Sequence, residues 1–247
     1  MKSYENVSRL YLPRRMPLII RIDGKAFHSF TRGFKKPFDD ILMASMRDTA
    51  VQLCKYIEGC KVAYTQSDEI SLLLTDYDSI NTEPWFRKNL IKIVSIAASV
   101  ATLEFNRAYE SHVKEASSDI DMRHMINVYL PRIGTALFDA RAFVLPKDEV
   151  CNYFIWRQQD ASRNSIQMVG QAHFSHKELQ GKNCDMIQEM LYMHHGINWN
   201  DLPIPQKRGL CIIKEKYLKD DVERSRWIAD ENIPIFTQDR YYIDHLL

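Results

Sequence analysis

No apolar run in this chain continues far before a charge interrupts it, whereas a helix crossing a bilayer needs roughly 20 consecutive apolar residues. The opening Met1-Lys-Ser-Tyr-Glu5 lacks the apolar stretch of a secretory signal, so no membrane association is expected. The five cysteines are odd in number and none stands in Cys-x-x-Cys spacing, which argues against a disulfide framework and a zinc site. A reducing cytoplasm is the expected compartment. Repeats, low-complexity tracts and a Gly/Pro/Ser-rich linker are missing as well. Disorder is not indicated: 247 residues at 45% hydrophobic composition suffice for one core, or for one core with a large extension.

The net charge of +1 conceals an uneven distribution. Residues 1–47 carry ten Lys or Arg against four acids, which leaves the remainder acidic by five. The basic share gathers around Asp23, as Arg14, Arg15, Arg21, Lys25, Arg32, Lys35 and Lys36. A solvated face explains most such clusters, but this one accompanies an acidic pattern that also calls for phosphate.

That pattern has two parts. Pro17-Leu-Ile-Ile-Arg-Ile-Asp-Gly24 is an apolar, β-branched run ending in an acid and a glycine, so Asp23 is predicted at a strand tip. Val62, Tyr64 and the run Ile70 to Leu74 read as two short strands around a tight turn at Gln66-Ser67-Asp68-Glu69. One acid at a strand end with two on a neighbouring hairpin suits a two-metal phosphoryl-transfer site. Mg²⁺ takes oxygen ligands, and a catalytic metal pair sits about 3.5–4 Å apart.

Along the chain, residues 1–16 form a polar lead-in, and a helix capped by Asp39 or Asp40 carries Leu42, Met46, Ala50, Leu53 and Ile57 on one face. The hairpin over 61–75 follows, then helical spacing from Trp85 to about His112, then an alternating segment from Ala136 to Pro146. Residues 113–134 are polar and hard to place. The order β-α-β-β-α-β is that of a ferredoxin-like α+β core, as in polymerase palms. Residues 1–146 are thus read as a palm-like catalytic core and 147–247 as a mostly helical extension with a C-terminal tail. In the extension, helices are expected from a cap at Asp148 through Val150, Tyr153 and Phe154 towards Gln159, from Asn164 to Ala172, from the capping box Ser175-His-Lys-Glu178, and from Asp185 to His194 with Gly196 as its stop. Gly209 to Ile213 is a predicted strand, and the tail from Trp227 is aromatic and partly extended.

Five stretches carry a likeness: Arg21-Ile-Asp-Gly-Lys-Ala-Phe-His-Ser-Phe-Thr31, Lys36-Pro37, Tyr64-Thr-Gln-Ser-Asp-Glu69, Phe138-Asp-Ala-Arg141 and Trp156-Arg-Gln-Gln-Asp160. Together they resemble the tRNA-His guanylyltransferase family, polymerases that add nucleotides to RNA in the 3′-to-5′ direction. The likeness spans about the first two thirds of the chain. It implies two Mg²⁺ ions on Asp23, Asp68 and the carbonyl of Gly24, with Glu69 beside them as a third catalytic acid. It implies a nucleotide-binding set of Asp23, Gly24, Lys25, Ala26, Phe27, His28, Lys36, Ser67 and Asp68. Arg157, Arg163, Asn164, Lys207 and Arg208 are the candidate RNA contacts.

The family members dedicated to tRNA-His carry His-Ile-Asn-Asn where this chain has Ser162-Arg-Asn-Ser165. The resemblance therefore favours the bacterial and archaeal branch, which repairs 5′-truncated tRNA by templated addition. It implies tRNA, ATP and GTP as partners and a tetrameric assembly. The alternatives are a dedicated tRNA-His guanylyltransferase, a palm-type nucleotide cyclase and a tRNA-binding module without catalysis.

Overall fold

The computed structural model describes residues 1–116, 120–220 and 222–247. Its frame is one antiparallel six-stranded sheet in the order β4-β1-β3-β2-β5-β6. The strands are β1 (Leu18–Gly24), β2 (Cys60–Gln66), β3 (Glu69–Leu74), β4 (Phe138–Val144), β5 (Leu210–Lys219) and β6 (Val222–Asp230). The principal helices are α1 (Asp40–Tyr56), α2 (Leu90–Glu115), α3 (Lys147–His173) and α4 (Cys184–His195). The first four strands with α1 and α2 form the expected β-α-β-β-α-β core, and it is the hairpin of β5 and β6 that widens the sheet beyond β2.

Strand alternation sorts the core into two layers. Leu18, Ile20 and Ile22 of β1, with Ile70, Leu72 and Leu74 of β3, face α1 and α2. Ile19 and Leu73 turn the other way, onto Val150, Cys151 and Phe154 of α3. By the same alternation Arg21, Asp23, Glu69 and Ser71 share the α3 side. The hydroxyls of Ser71 and Tyr153 of α3 lie 2.7 Å apart across that interface. A third, smaller apolar cluster joins Ile166 and Val169 of α3 to Ile187 and Leu191 of α4.

Local signals set most helix ends. Asp39 caps α1 by accepting from the Leu42 amide at 2.9 Å, which decides between the two aspartates. The Ser175–Glu178 capping box forms, and α4 closes on Gly196 at φ 66°. Two helices depart from their expected bounds. At α2 the chain first makes a tight turn with Phe86 and Arg87 at positive φ, and the helix starts only after Asn89 accepts from the Lys92 amide.

The two helices expected over 148–159 and 164–172 are one continuous α3, and Asp148 lies in its first turn, not at its cap. The polar stretch between them continues the helix, Ala161 facing the core and Arg163 the solvent, with ion pairs of Asp160 to Arg157 and Arg163 three residues away on either side. The strand expected at 209–213 runs on to Lys219 and returns as β6. Residues 113–134 contain the end of α2 and a series of short helical turns over Met122–Arg132; residues 117–119 of that stretch lie outside the described residues. Among the described residues no helix is long and apolar enough to cross a membrane.

Candidate active site

The register of β1 places Asp23 opposite Glu69 on one side and opposite Asp139 on the other. Asp68 adjoins them in the two-residue turn between β2 and β3, where Ser67 adopts φ 50°. The turn is tied to β1 by a hydrogen bond from the Gly24 amide to the Asp68 carbonyl at 3.1 Å. Asp23, Gly24, Ser67 and Asp68 therefore line one cleft of about 770 Å³ with Ala26, Phe27, His28 and Lys36. Of the nucleotide-binding set read from the sequence, Lys25 is the exception. It does not line the cleft, and its amide donates to the Leu137 carbonyl at 2.8 Å.

The loop after β1 is held open by packing beneath it. Ala26 is left-handed at φ 55°, and a helical turn over Phe27–Phe30 follows. This left-then-right sequence points successive amides toward one concavity, a geometry that favours anions. Phe27 anchors the loop in an aromatic cluster with Phe30, Phe105 and Phe138, at centroid distances of 4.9, 5.4 and 5.1 Å. A Cβ on Gly24 would fall 2.3 Å from the Phe27 ring, so only glycine fits there. Arg132, which sequence reasoning did not single out, closes the far side of the loop. Its guanidinium donates to the carbonyls of Phe30, Val128 and Arg32 and lies 5.6 Å over the Phe34 ring.

The electrostatics are unbalanced. Asp68 carries a raised pKa because burial disfavours its charge, and the nearby Asp23 adds to the rise. Its hydrogen bond from Ser67 Oγ at 2.9 Å works the other way. Neither Asp23 nor Asp68 has an ion-pair partner among the described residues, so both carboxylates are open to a hard cation. No group of three or more His, Cys, Asp or Glu among the described residues forms a metal site by itself. The ligand set would thus be completed by the Gly24 carbonyl and by phosphate oxygens, both suited to Mg²⁺.

Glu69 belongs to a different arrangement. Arg157 Nε and Nη2 donate to its Oε1 and Oε2 at 2.7 and 2.8 Å, and both side chains are buried. Arg21 Nε stands 3.8 Å from Oε2. Burial raises the Glu69 pKa, and Arg157 and Arg21 oppose the rise. With both oxygens engaged by Arg157, Glu69 holds the base of the catalytic turn next to Asp68.

The same contact corrects the reading of Arg157 as an RNA ligand, since it is buried beneath α3 and also donates to Asp160 at 3.0 Å. Arg208 is likewise committed, donating to the Ile233 carbonyl at 3.2 and 3.3 Å. Arg163 is exposed and paired with Asp160. Asn164 and Lys207 line a second, more apolar cleft with Phe38, Leu42, Met46 and Ala161, which shares Asp39, Leu42, Ser67 and Met168 with the first. Of the basic cluster around Asp23, Arg32, Lys35 and Lys36 reach the cleft, while Arg14 pairs with Glu83 and Arg21 lies on the α3 side.

Comparison with known proteins adds the decisive observation. The family model described as tRNAHis guanylyltransferase matches residues 1–146. This chain belongs to the tRNAHis guanylyltransferase family. It is accordingly a nucleotidyltransferase with the mixed α/β fold of that family. The tRNA(His) guanylyltransferase of Debaryomyces hansenii is 30% identical over 211 residues, covering 80% of this chain and 73% of the yeast protein. A bacterial tRNA(His) guanylyltransferase-like protein solved in complex with ATP is 48% identical with a TM-score of 0.87, covering 100% of this chain and 96% of its own. A bacterial structure of the same description in complex with GTP gives 46% identity and a TM-score of 0.78, with the same coverage.

Proposed function

We propose that this family member is a Mg²⁺-dependent 3′-to-5′ polymerase that restores the 5′ end of truncated tRNA by templated nucleotide addition. The observation that carries the reading is the pair of unneutralised carboxylates, Asp23 and Asp68, at the mouth of a cleft lined by the anion-favouring loop. The ATP and GTP complexes of the bacterial relatives support nucleoside triphosphates as occupants of that cleft. The Ser162–Ser165 run, which departs from the tRNA-His-specific pattern, favours repair over dedicated guanosine addition. The fit of the residues to ATP, GTP and tRNA, and a homotetrameric assembly in the cytoplasm, belong to the same proposal.

In the first step a 5′-phosphate oxygen of the RNA attacks the α-phosphorus of ATP, and the bond to pyrophosphate breaks. In the second, the 3′-hydroxyl of the incoming nucleotide attacks the activated 5′-phosphorus, releasing AMP and a proton; on an RNA that already bears a triphosphate, pyrophosphate leaves instead. Asp23, Asp68 and the Gly24 carbonyl would hold two Mg²⁺ ions, which supply charge neutralisation and acidify the attacking hydroxyl when bound. The chain's own groups position the rest. Loop amides from Ala26 to His28 and the Lys36 ammonium receive the triphosphate. The apolar cleft beside Ser67 receives the base and excludes water. Arg157, through Glu69, keeps the catalytic turn in register with β1.

The test is Mg²⁺-dependent incorporation of labelled GTP into 5′-truncated tRNA and into tRNA-His lacking its extra guanosine, in one competition assay. Repair predicts faster use of the truncated tRNA, and single-turnover rates with Asp68→Ala should fall by at least a thousandfold in both steps. Near-wild-type rates in that variant overturn the site. Consumption of nucleotide without RNA would indicate a cyclase, and retention of tRNA without reaction a binding module.

A further inference from the structure

On the α3 side of the sheet, next to Asp23 but outside both clefts, lies a group of side chains that the steps above leave without a role. Trp156 of α3 has 52% of its surface exposed, although its neighbours Arg157 and Tyr153 are buried. The Arg157 guanidinium carbon lies 4.5 Å from the indole centroid and that of Arg21 lies 5.9 Å away. Arg157 is immobilised by Glu69 and Asp160, so the indole has a rigid cationic backing and an open remainder.

Arg21 is the more telling residue. Its side chain is only 16% exposed, yet its guanidinium makes no hydrogen bond among the described residues, and the nearest carboxylate to the buried Nε, that of Glu69, stands off at 3.8 Å. A buried N–H left without a hydrogen bond is costly, and among the five donors of this guanidinium Nε is in that position. Directly opposite on β4 stands Arg141, whose nearest anion is Asp139 at 3.5 Å. Two guanidinium groups in register repel, and the carboxylates nearest them, Glu69 and Asp139, stand off at 3.8 and 3.5 Å. One step along the same face comes the row Asp139, Asp23 and Glu69. A cationic row thus adjoins the catalytic acids at a spacing of about 7 Å along the strand.

We propose that Trp156, Arg21 and Arg141 form the dock for the 5′-terminal nucleotide of the RNA, its base against the indole and its phosphate between the two arginines. The inference rests on the transfer reading above and deepens it, because it says where the acceptor enters. The incoming nucleotide occupies the cleft made by the Ala26–Lys36 loop, and none of the three dock residues lines that cleft. Attacking and leaving oxygens must approach phosphorus roughly in line from opposite sides. A terminal phosphate held beside Asp23, outside the nucleotide cleft, would reach the acids from a second direction.

The experiment measures binding of a 5′-monophosphorylated truncated tRNA, of its 5′-hydroxyl form and of GTP alone, followed by KM for RNA and for GTP in the transfer assay. Base stacking on an aromatic side chain is worth roughly a fivefold to hundredfold change in affinity. Trp156→Ala should therefore raise KM for RNA about tenfold with KM for GTP unchanged, and Trp156→Phe should restore most of it. Arg141→Ala, an exposed position, should abolish the preference for the 5′-phosphate over the 5′-hydroxyl form. An equal rise in KM for GTP, or wild-type values throughout, overturns the dock while leaving transfer intact. A wild-type protein that transfers nothing but shows the same binding pattern would spare the dock and defeat the transfer reading.

Discussion

Arg157→Met isolates the buried pair beneath the catalytic turn. The substitution keeps the side-chain volume and removes the charge, leaving Glu69 with 7% of its side chain exposed and without its bidentate partner. Removing one partner of a buried ion pair typically costs about 3–5 kcal/mol. Arg21 remains 3.8 Å from Oε2, and at an effective dielectric near 20 that distance retains a gross attraction of about 4 kcal/mol. The expected loss therefore falls at the lower end, about 3 kcal/mol. For a domain of this size that lowers Tm by roughly 6–12 °C.

The deficit should shrink as the pH falls through the carboxylate range, because a protonated Glu69 needs no cation. Replacing both members, Arg157→Met with Glu69→Gln, should recover at least half of the loss. Since Glu69 follows Asp68 in the chain, kcat should fall in Arg157→Met by roughly tenfold to a hundredfold through misplacement of the turn. Thermal unfolding across pH, with single-turnover transfer, measures all of these. A variant that unfolds within a degree of wild type, or a double variant no more stable than the single, would refute the argument. Abolished transfer in Glu69→Gln at unchanged Tm would instead give Glu69 a direct part in the chemistry.

Three further perturbations follow from the geometry. In Gly24→Ala the new Cβ meets a Phe27 ring that is itself packed on three sides; overpacking of about 1–3 kcal/mol is expected, with weakened GTP binding by calorimetry. Arg132→Lys keeps the charge but loses the planar fork that holds three carbonyls. KM for nucleotide should rise severalfold while kcat stays near wild type. For Asp68 the raised pKa means that folding favours its protonated form, so this group's contribution is present in acid and is lost as the pH rises through the folded value. Asp68→Asn should accordingly raise Tm at neutral pH in EDTA, a gain that disappears below about pH 4. Added Mg²⁺ should stabilise wild type and leave the Asn variant unmoved; stabilisation of both would show that the ion binds elsewhere.

Hairpin and helix order over residues 17–146 was legible because periodicity, caps and turns are local properties. An apolar residue every second or every third to fourth position declares its element without reference to the rest of the chain. Asp23, Gly24 and Asp68 could be picked out for the same reason: each sits where a strand ends or a turn must form, and the cleft that unites them follows from the pairing of β1 with β3. Charge partners are another matter. Whether Arg157 meets RNA or Glu69 depends on which face of a 27-residue helix lands on which strand, and nothing within ten residues of either encodes it. Asp139 opposite Asp23, Arg141 opposite Arg21, the three carbonyls on Arg132 and the joining of β5 to β2 are equally non-local. The order of elements was written in the sequence; the neighbours of each charge, and hence its role, came only from register and packing, because electrostatics act through space between residues remote in the chain.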